Sequence, residues 1–330
     1  MVDGAENNVG METEADRTFF NRVSGAASIS RHNTPSRSAS TLETNGTRHK
    51  RHYDRHLRAV LPHALVDKVH DVEGFLRDVT RTDTSWAALY CAGFADQLRG
   101  ARVLEVGAGD GLNALVMAAL GAEVTCVDIS EETPPLVRRA AGALGLASRV
   151  HALCGDVTEI SLGAPRQFDF VVGKAFLHHL THEQEARCLR MAADALRPGG
   201  QARFAEPAVN SPLLDACRWL VSVPGRPSRL DRAAFRSYRD ADPHPERDNS
   251  SAHYLHQGGR FFEHVEVVPI GGLERFERLL PKGPFHRPFR RAALRAERWL
   301  PYAVQMKLAR AQTILLSSPR RLPAELEDAG

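Results

Sequence analysis

The sequence Val103-Leu-Glu-Val-Gly107-Ala-Gly109-Asp-Gly111-Leu112 joins an apolar run to a glycine-rich turn. The Ala- and Leu-rich stretch GLNALVMAALG follows without a break and ends at Gly121, which is typical of a helix with a glycine stop. A strand that passes through such a turn into a helix lets a ligand approach the backbone at the carboxyl end of the strand. The sequence therefore predicts a first βα unit with a ligand site at its turn.

The residues after this unit alternate between strand-like and helix-like segments. Predicted strands cover 123–130, 149–157, 168–175 and 201–207, and predicted helices cover 134–146 and 183–200, the second with a Pro-Gly-Gly stop. Strands that alternate with helices of this length indicate βαβ units around a parallel sheet. We predict an α/β fold with a Rossmann-like, doubly wound sheet.

The rest of the chain is expected to extend this core. Apolar strands at 260–270 and 309–318 complete seven strands as a pair at the sheet edge, with the last strand antiparallel. The predicted organisation is a disordered tail at 1–50, an N-terminal helical segment at 51–100, a core at 101–210, a helix and lid-like loop at 211–260, strands six and seven with a basic helical cap insertion at 271–308 within 261–318, and a tail at 319–330.

Composition excludes several classes of protein. The chain has 330 residues and a formal net charge of +3, which is too balanced for a dedicated nucleic-acid binder. It has no apolar run long enough for a membrane helix and no signal peptide, so we expect a cytoplasmic protein. No cysteine pair has metal-ligand spacing, and the histidines at 49, 52 and 56 lack a carboxylate or thiol partner, so no metal site is predicted. Oligomeric state is left open.

Two acids flank the glycine turn. Asp128 ends the second strand, 19 residues after Gly109, where a carboxylate can accept hydrogen bonds from ribose hydroxyls. A dinucleotide fingerprint would place its third glycine at position 112, but the third glycine here is Gly111. Glu105, two residues before the first glycine, would repel a pyrophosphate but suits an α-amino group. These features disfavour a dinucleotide.

The motif Glu105-x-Gly-x-Gly-x-Gly111 resembles the first motif of class I S-adenosylmethionine-dependent methyltransferases. The resemblance continues in order through Cys154-Gly-Asp-Val157, Phe168-Asp-Phe-Val-Val-Gly-Lys-Ala175 and Leu196-Arg-Pro-Gly-Gly200, and covers about residues 101–207. It implies S-adenosyl-L-methionine as cofactor. By the same resemblance, the methionine part would lie against Glu105, Gly107, Ala108, Gly109 and Gly111, the ribose against Asp128, the adenine against Ile129, Asp156 and Val157, and the sulfonium end near Lys174 and Ala175.

Candidate catalytic residues follow the fourth and fifth strands. The segment from Lys174 to His178 resembles the K-x-x-x-H segment of small-molecule O-methyltransferases, whose histidine is the general base. His179 is an alternative base, and either histidine can instead serve only to start a helix. Glu206, at the end of the fifth strand, fits the place of the glutamate that orients the histidine in that family.

The acceptor is expected to be sizeable and partly apolar, with an anionic group if the arginines of the cap insertion contact it. His253, Tyr254 and His256 are candidate substrate contacts in the lid-like loop, although each is also an ordinary surface residue. The insertion can equally contact an anionic membrane or form a solvated helical hairpin. The predicted function is methyl transfer to an oxygen or nitrogen of a small organic molecule in natural-product biosynthesis. A lipid, quinone or carbon-directed methyltransferase at a membrane surface and a non-enzymatic cofactor-binding scaffold are the alternatives.

Overall fold

The computed structural model describes most of the chain from Leu57 to Arg320. The described residues are 50, 54–55, 57–160, 162, 166–223, 226–241, 245, 247–280 and 283–320. The predicted tail at 1–50, apart from Lys50, and residues 321–330 of the predicted C-terminal tail lie outside them. Helices are numbered here from Pro62.

A seven-stranded sheet in the order β3-β2-β1-β4-β5-β7-β6 forms the centre of the fold. Its strands are β1 Arg102–Val106, β2 Glu123–Asp128, β3 Val150–Cys154, β4 Phe168–Lys174, β5 Leu196–Pro207, β6 Phe262–Ile270 and β7 Ala311–Pro319. Neighbouring strands from β3 to β5 pair in parallel, and β7 runs antiparallel to both β5 and β6. The Rossmann-like doubly wound prediction, with an antiparallel last strand, is confirmed.

Helices cover both faces of the sheet, as the alternating pattern predicts. These are α4 Leu112–Ala119, α5 Thr133–Ala143 and α6 His182–Ala195. Residues 112–118 of α4 are all buried, consistent with their apolar composition. Thr181 and Gln184 form a reciprocal capping box that fixes the start of α6 directly after the His178-His179 turn.

The segment before the sheet contains α1 Pro62–Val69, α2 Val72–Thr82, α3 Thr84–Leu89 and a 3₁₀ helix at Phe94–Gln97. The Asp83 carboxylate starts α3 by accepting hydrogen bonds from the amides of Ser85, at 2.8 Å, and Trp86, at 3.2 Å. Phe94 packs edge-on against Phe170 of β4, with ring centroids 5.2 Å apart. The segment is therefore joined to the main hydrophobic core.

Two local predictions need correction. The region expected as a lid-like loop contains α8 Arg232–Ala241 and α9 Ser251–Gly259 after the short helix α7 Pro212–Arg218. The sequence analysis missed these helices because of their polar composition. Helix α8 is polar because few of its described residues contact the rest of the protein. The second correction concerns the helix predicted at 183–200. Helix α6 ends at Ala195, and Leu196 already belongs to β5 because it pairs with Phe168 of β4. The register between these two strands then shifts between Phe168 and Phe170.

Residues 271–310 connect β6 to β7 through α10 His286–Ala296, α11 Tyr302–Leu308 and 3₁₀ helices at Glu274–Leu279 and Glu297–Trp299. Arg287 and Arg291 of α10 both bind the Asp78 carboxylate of α2. The insertion is thus tied to the N-terminal helices. None of the helices in the described ranges is long and apolar enough to cross a membrane.

Candidate functional site

Polar side chains converge at one edge of the sheet. Because β1, β2, β4 and β5 are parallel, their carboxyl ends meet there. Glu105 lies near the end of β1, Asp128 ends β2, Lys174 ends β4 and Glu206 is the second-last residue of β5. The structure therefore brings together the residues that the sequence placed at successive strand ends.

The glycine turn is held against β2. The Gly109 amide donates to Asp128 Oδ2 at 2.8 Å. Gly107 has a φ of +67°, and a Cβ built on it would lie 2.2 Å from the Phe176 ring, so no other residue fits without displacing that ring. At Gly109 the corresponding position has no atom within 4 Å. The turn is closed on the Phe176 side and open at Gly109.

Glu105 is buried in a polar chain that begins in the N-terminal segment. The Tyr90 hydroxyl donates to Asn113 Oδ1, and Asn113 Nδ2 donates to Glu105 Oε1, both at 2.8 Å. Within the described part of the chain, Glu105 Oε2 is buried and accepts no hydrogen bond. Burial, opposed by the Asn113 hydrogen bond and the charge of Lys174, raises the pKa of Glu105 to about 8. A cationic or N–H donor at this oxygen would complete the site.

Asp128 organises the turn and remains close to the edge of the sheet. Its Oδ1 accepts a hydrogen bond from the Ser130 amide at 2.9 Å. Burial raises the pKa of Asp128 to about 6, although the amides of Ser130 and Gly109 lower it. Ile129, next along the chain, is partly buried.

The segment after β3 forms a turn around Asp156. Asp156 Oδ1 accepts from the amide and the hydroxyl of Thr158, both at 2.8 Å. Val157 is buried, and the amide of Gly155 donates to the Asp128 carbonyl at 2.9 Å. This turn therefore lies beside the end of β2, as expected.

Lys174 faces residues of the N-terminal segment. Its Nζ lies 5.0 Å from the centroid of the Trp86 ring. Burial opposes the ionisation of Asp83, yet the charges of Arg290 and Lys174 and the hydrogen bond from Ser85 keep the Asp83 pKa below its ordinary value. Ala175 follows with a φ of +56°, a left-handed conformation uncommon for alanine.

His178 and Glu206 form a buried pair. His178 Nδ1 lies 2.6 Å from Glu206 Oε2, and the two side chains are 1% and 0% exposed. Glu206 also accepts from the amides of Phe176, at 2.9 Å, and Leu177, at 2.8 Å. A carboxylate that accepts from these amides also accepts from His178 Nδ1–H, which leaves Nε2 as the acceptor nitrogen of the ring. His179 packs beside it, with ring centroids 4.1 Å apart.

A second buried network supports the histidine turn from behind. Arg247 Nη1 donates to the carbonyls of Leu177 and Leu180, each at 2.7 Å, while Nη2 binds the Glu185 carboxylate. His253 Nε2 lies 2.9 Å from Glu185 Oε2. The sequence analysis missed Arg247 and Glu185, because the same two residue types form ion pairs both at the surface and in the interior. Asn113 was detectable, as a polar residue within an apolar helix.

The three predicted substrate contacts do not form one surface. All lie on α9 rather than in a loop. His253 belongs to the Glu185 network, and Tyr254 is a core residue whose hydroxyl donates to Asn249 Oδ1 at 3.1 Å. His256 is exposed. Neighbouring positions on a helix point in different directions, which separates them.

Comparisons with known proteins match part of the chain. A family model described as "Methyltransferase domain" matches residues 103–200. The ubiquinone biosynthesis O-methyltransferase of Xanthomonas euvesicatoria is 34% identical over 105 residues, which are 32% of this chain and 42% of that protein. The protein of that name from Klebsiella pneumoniae is 30% identical over 162 residues, 49% of this chain and 63% of that protein.

Solved structures give similar partial matches. The CcbJ methyltransferase from Streptomyces caelestis is 30% identical, with 40% of this chain and 50% of that chain covered and a TM-score of 0.33. The matched region spans less than two thirds of each of these relatives.

Proposed function

We propose that residues 103–200, which match a family model described as "Methyltransferase domain", form a class I S-adenosylmethionine-dependent methyltransferase domain, and that the protein transfers a methyl group from this cofactor to an oxygen or nitrogen of a small organic molecule. The observation that carries the proposal is the buried His178–Glu206 pair at the carboxyl edge of the sheet, next to the glycine turn. We also propose that 101–210 is the cofactor-binding unit and that the reaction belongs to natural-product biosynthesis.

The residues at the turn fit the cofactor. Glu105 Oε2 is a buried acceptor with no hydrogen bond from the described residues, as an α-amino group requires. The space at Gly109 allows a bulky group to approach the backbone. Glu105, Gly107, Ala108, Gly109 and Gly111 would hold the methionine part, Asp128 the ribose hydroxyls, Ile129, Asp156 and Val157 the adenine, and Lys174 and Ala175 would lie near the sulfonium end.

The bound cofactor supplies an electrophilic methyl group on a sulfonium, so the protein must align the acceptor and remove its proton. His178 Nε2 is proposed to accept the proton from the acceptor O–H or N–H as the new bond to the methyl carbon forms. Glu206 fixes the ring and stabilises the imidazolium through Nδ1–H. His179 remains the alternative base.

A calorimetric titration with S-adenosylhomocysteine, with NAD as the control ligand, tests the proposal. We expect micromolar binding of the first and none of the second. Binding of NAD, or of neither ligand, would contradict the assignment of the site. Asp128→Ala should weaken S-adenosylhomocysteine binding by about 1–3 kcal/mol through the loss of charge-assisted hydrogen bonds.

A quinone-type acceptor is a second candidate, favoured by the names of the curated relatives. Action at an anionic membrane is less favoured, because Arg287 and Arg291 are engaged by Asp78 and Arg290 by Glu274. Sedimentation with anionic liposomes at low and high salt tests this alternative. Salt-sensitive binding would support a membrane-associated enzyme.

A further inference from the structure

Two largely buried arginines lie against one tryptophan ring. Arg218 ends α7, and Arg226 follows it along the chain. Their guanidinium carbons lie 4.8 Å and 4.9 Å from the centroid of Trp219. Trp219 and Arg226 are 5% and 1% exposed, and the side chain of Arg218 is 10% exposed. Both cations are therefore largely removed from water.

The hydrogen bonding of these guanidinium groups is incomplete. Arg226 Nη2 donates to the carbonyls of Arg218, at 2.9 Å, and Val221, at 3.1 Å. Arg218 Nη1 lies 3.5 Å from Asp215 Oδ1. Among the described residues, no acceptor bonds to Nε and Nη2 of Arg218 or to Nε and Nη1 of Arg226. Buried N–H groups without acceptors are costly, and charged ones more so.

Further arginines from the 271–310 insertion extend this positive region. Burial and the like charges of Arg310, Arg218 and Arg226 lower the pKa of Arg278 well below its ordinary value. Burial lowers the pKa of Arg218 to about 9, which leaves the group cationic at neutral pH.

Two acidic side chains of this region pair with its arginines. Asp215 Oδ1 lies 3.5 Å from Arg218 Nη1 and also lies within the electrostatic reach of Arg275 and Arg226, and Glu274 binds Arg310 at 2.6 Å and Arg290 at 2.8 Å. The nitrogens of Arg218 and Arg226 that bond to no acceptor among the described residues are the groups that an added anion would bind.

The insertion that supplies further arginines also contacts the end of β5. Arg310 precedes β7, and its carbonyl accepts from the amide of Ala208, two residues after Glu206. Arg290, bound to Glu274, acts electrostatically on Asp83, which is also a neighbour of Lys174. These contacts tie the insertion that carries Arg290 and Arg310 to the carboxyl end of β5 and to the surroundings of Lys174.

We propose that Arg218 and Arg226, with the arginines of the insertion around them, bind a phosphate group carried by the methyl acceptor. The claim that the methyl acceptor carries the phosphate rests on the proposed function, whereas the anion site itself does not depend on it. A guanidinium donates two parallel hydrogen bonds to a phosphate, and the open N–H groups here suit that geometry. A phosphate would also accept from the buried nitrogens of Arg218 and Arg226 that bond to no acceptor among the described residues.

Helix α8 covers this region. Phe235 packs edge-on against Trp219 at 5.1 Å between ring centroids, and Tyr238 lies at 6.4 Å. Most other residues of α8 are exposed. We infer that α8 is the element whose displacement admits the anion.

Calorimetry and thermal unfolding with inorganic phosphate, against sodium chloride at equal ionic strength, test the site. We expect saturable phosphate binding and a rise in melting temperature that chloride does not reproduce. Arg218→Gln should weaken phosphate binding by about 10-fold or more, as expected for a lost charged hydrogen bond. Without phosphate it should lose stability, because the buried Asp215 carboxylate loses its ion-pair partner, but phosphate should no longer raise its melting temperature. A purely structural Arg218 would instead leave the phosphate-induced rise in melting temperature unchanged.

Arg138→Gln, an exposed arginine on α5, is the matched control and should leave phosphate binding unchanged. Equal phosphate affinity in Arg218→Gln and the wild type, or no specific effect of phosphate, would overturn the proposal. S-adenosylhomocysteine titrated into the same samples separates the two proposals. If phosphate binds and S-adenosylhomocysteine does not, the anion site stands and the proposed methyltransferase site is refuted.

Two further probes distinguish the sources of the phosphate. Competition by glycerol phosphate indicates a soluble acceptor. Binding to phosphatidic acid vesicles that Arg218→Gln abolishes indicates a lipid headgroup. Both results support the site, whereas vesicle binding unaffected by Arg218→Gln together with no competition would contradict it.

Discussion

At the scale of single residues, the proposed chemistry depends on His178. Glu206 accepts from Nδ1–H and from the amides of the turn, so it fixes both the ring and the backbone that carries it. The two side chains are 1% and 0% exposed, which strengthens their interaction and would keep water away from the proton in the proposed transfer. The proposed base is therefore held in one orientation before the acceptor arrives.

We expect His178→Ala to lower kcat by about 10²-fold or more, the usual contribution of a general base. Its affinity for S-adenosylhomocysteine should stay near that of the wild type. His256→Ala, at an exposed position on α9, is the control. Loss of turnover in His179→Ala but not in His178→Ala would assign the proton transfer to His179 instead.

Gly107 allows a second prediction at the scale of single residues. Alanine in its left-handed conformation costs about 1–2 kcal/mol, and the added methyl group would also meet the Phe176 ring. Gly107→Ala should lower both stability and cofactor affinity. Gly142→Ala in α5, where nothing lies within 4 Å, should instead raise stability by about 0.5–1 kcal/mol in urea unfolding. Equal effects would contradict the argument.

At the scale of elements, the histidine turn is held between β5 and the segment before α9. Glu206 binds its amides from one side, and Arg247 binds its carbonyls from the other. Glu185, on α6, compensates the buried charge of Arg247. A turn fixed at both its donors and its acceptors is more rigid than its short 3₁₀ helix alone would be.

Arg247→Met should therefore destabilise the protein strongly, by about 3–5 kcal/mol, because it leaves the Glu185 carboxylate buried without its cation. The pair of Glu183 and Arg187 offers a matched control on the exposed side of α6. Arg187→Met should cost at most about 1 kcal/mol. Urea unfolding measures both, and similar losses would show that the Arg247 pair is no stronger than a surface pair.

At the scale of the whole molecule, folding collects carboxyl groups at one edge of the sheet. Burial raises the pKa of Glu105 from 4.5 to about 8 and that of Asp128 from 3.8 to about 6. The folded protein then binds more protons than the unfolded chain between these values. Each of the two carboxyl groups therefore stabilises the fold at the low-pH end of this range, and its contribution is lost as the pH rises through its folded pKa.

We expect the free energy of unfolding of the ligand-free protein to fall from about pH 5 to about pH 8, by at most about 1.4 kcal/mol per pH unit for each group. Glu105→Gln should flatten this slope, most clearly above about pH 6. Glu123→Gln, an exposed acid at the start of β2, should not change it. Urea unfolding across the range measures the slope, and an unchanged slope in Glu105→Gln would rule out Glu105 as its source.

The sequence by itself determined the order of strands and helices, the glycine turn and the acids at strand ends. These features depend on local periodicity and spacing, which are legible along the chain. The sequence analysis missed α8 and α9, since the Pro, Arg, Asp and His content of residues 224–260 outweighed the helical spacing of Phe235 and Tyr238.

Only the tertiary structure decided which polar groups are buried together. Tyr90 reaches Glu105 through Asn113, Arg247 meets Glu185 across 62 positions, and Arg218 and Arg226 both lie against Trp219. The identity of an arginine or a glutamate in the sequence does not tell whether its side chain is solvated or buried. Its hydrogen-bonding partners, and therefore its chemistry, exist only once distant segments of the chain have packed.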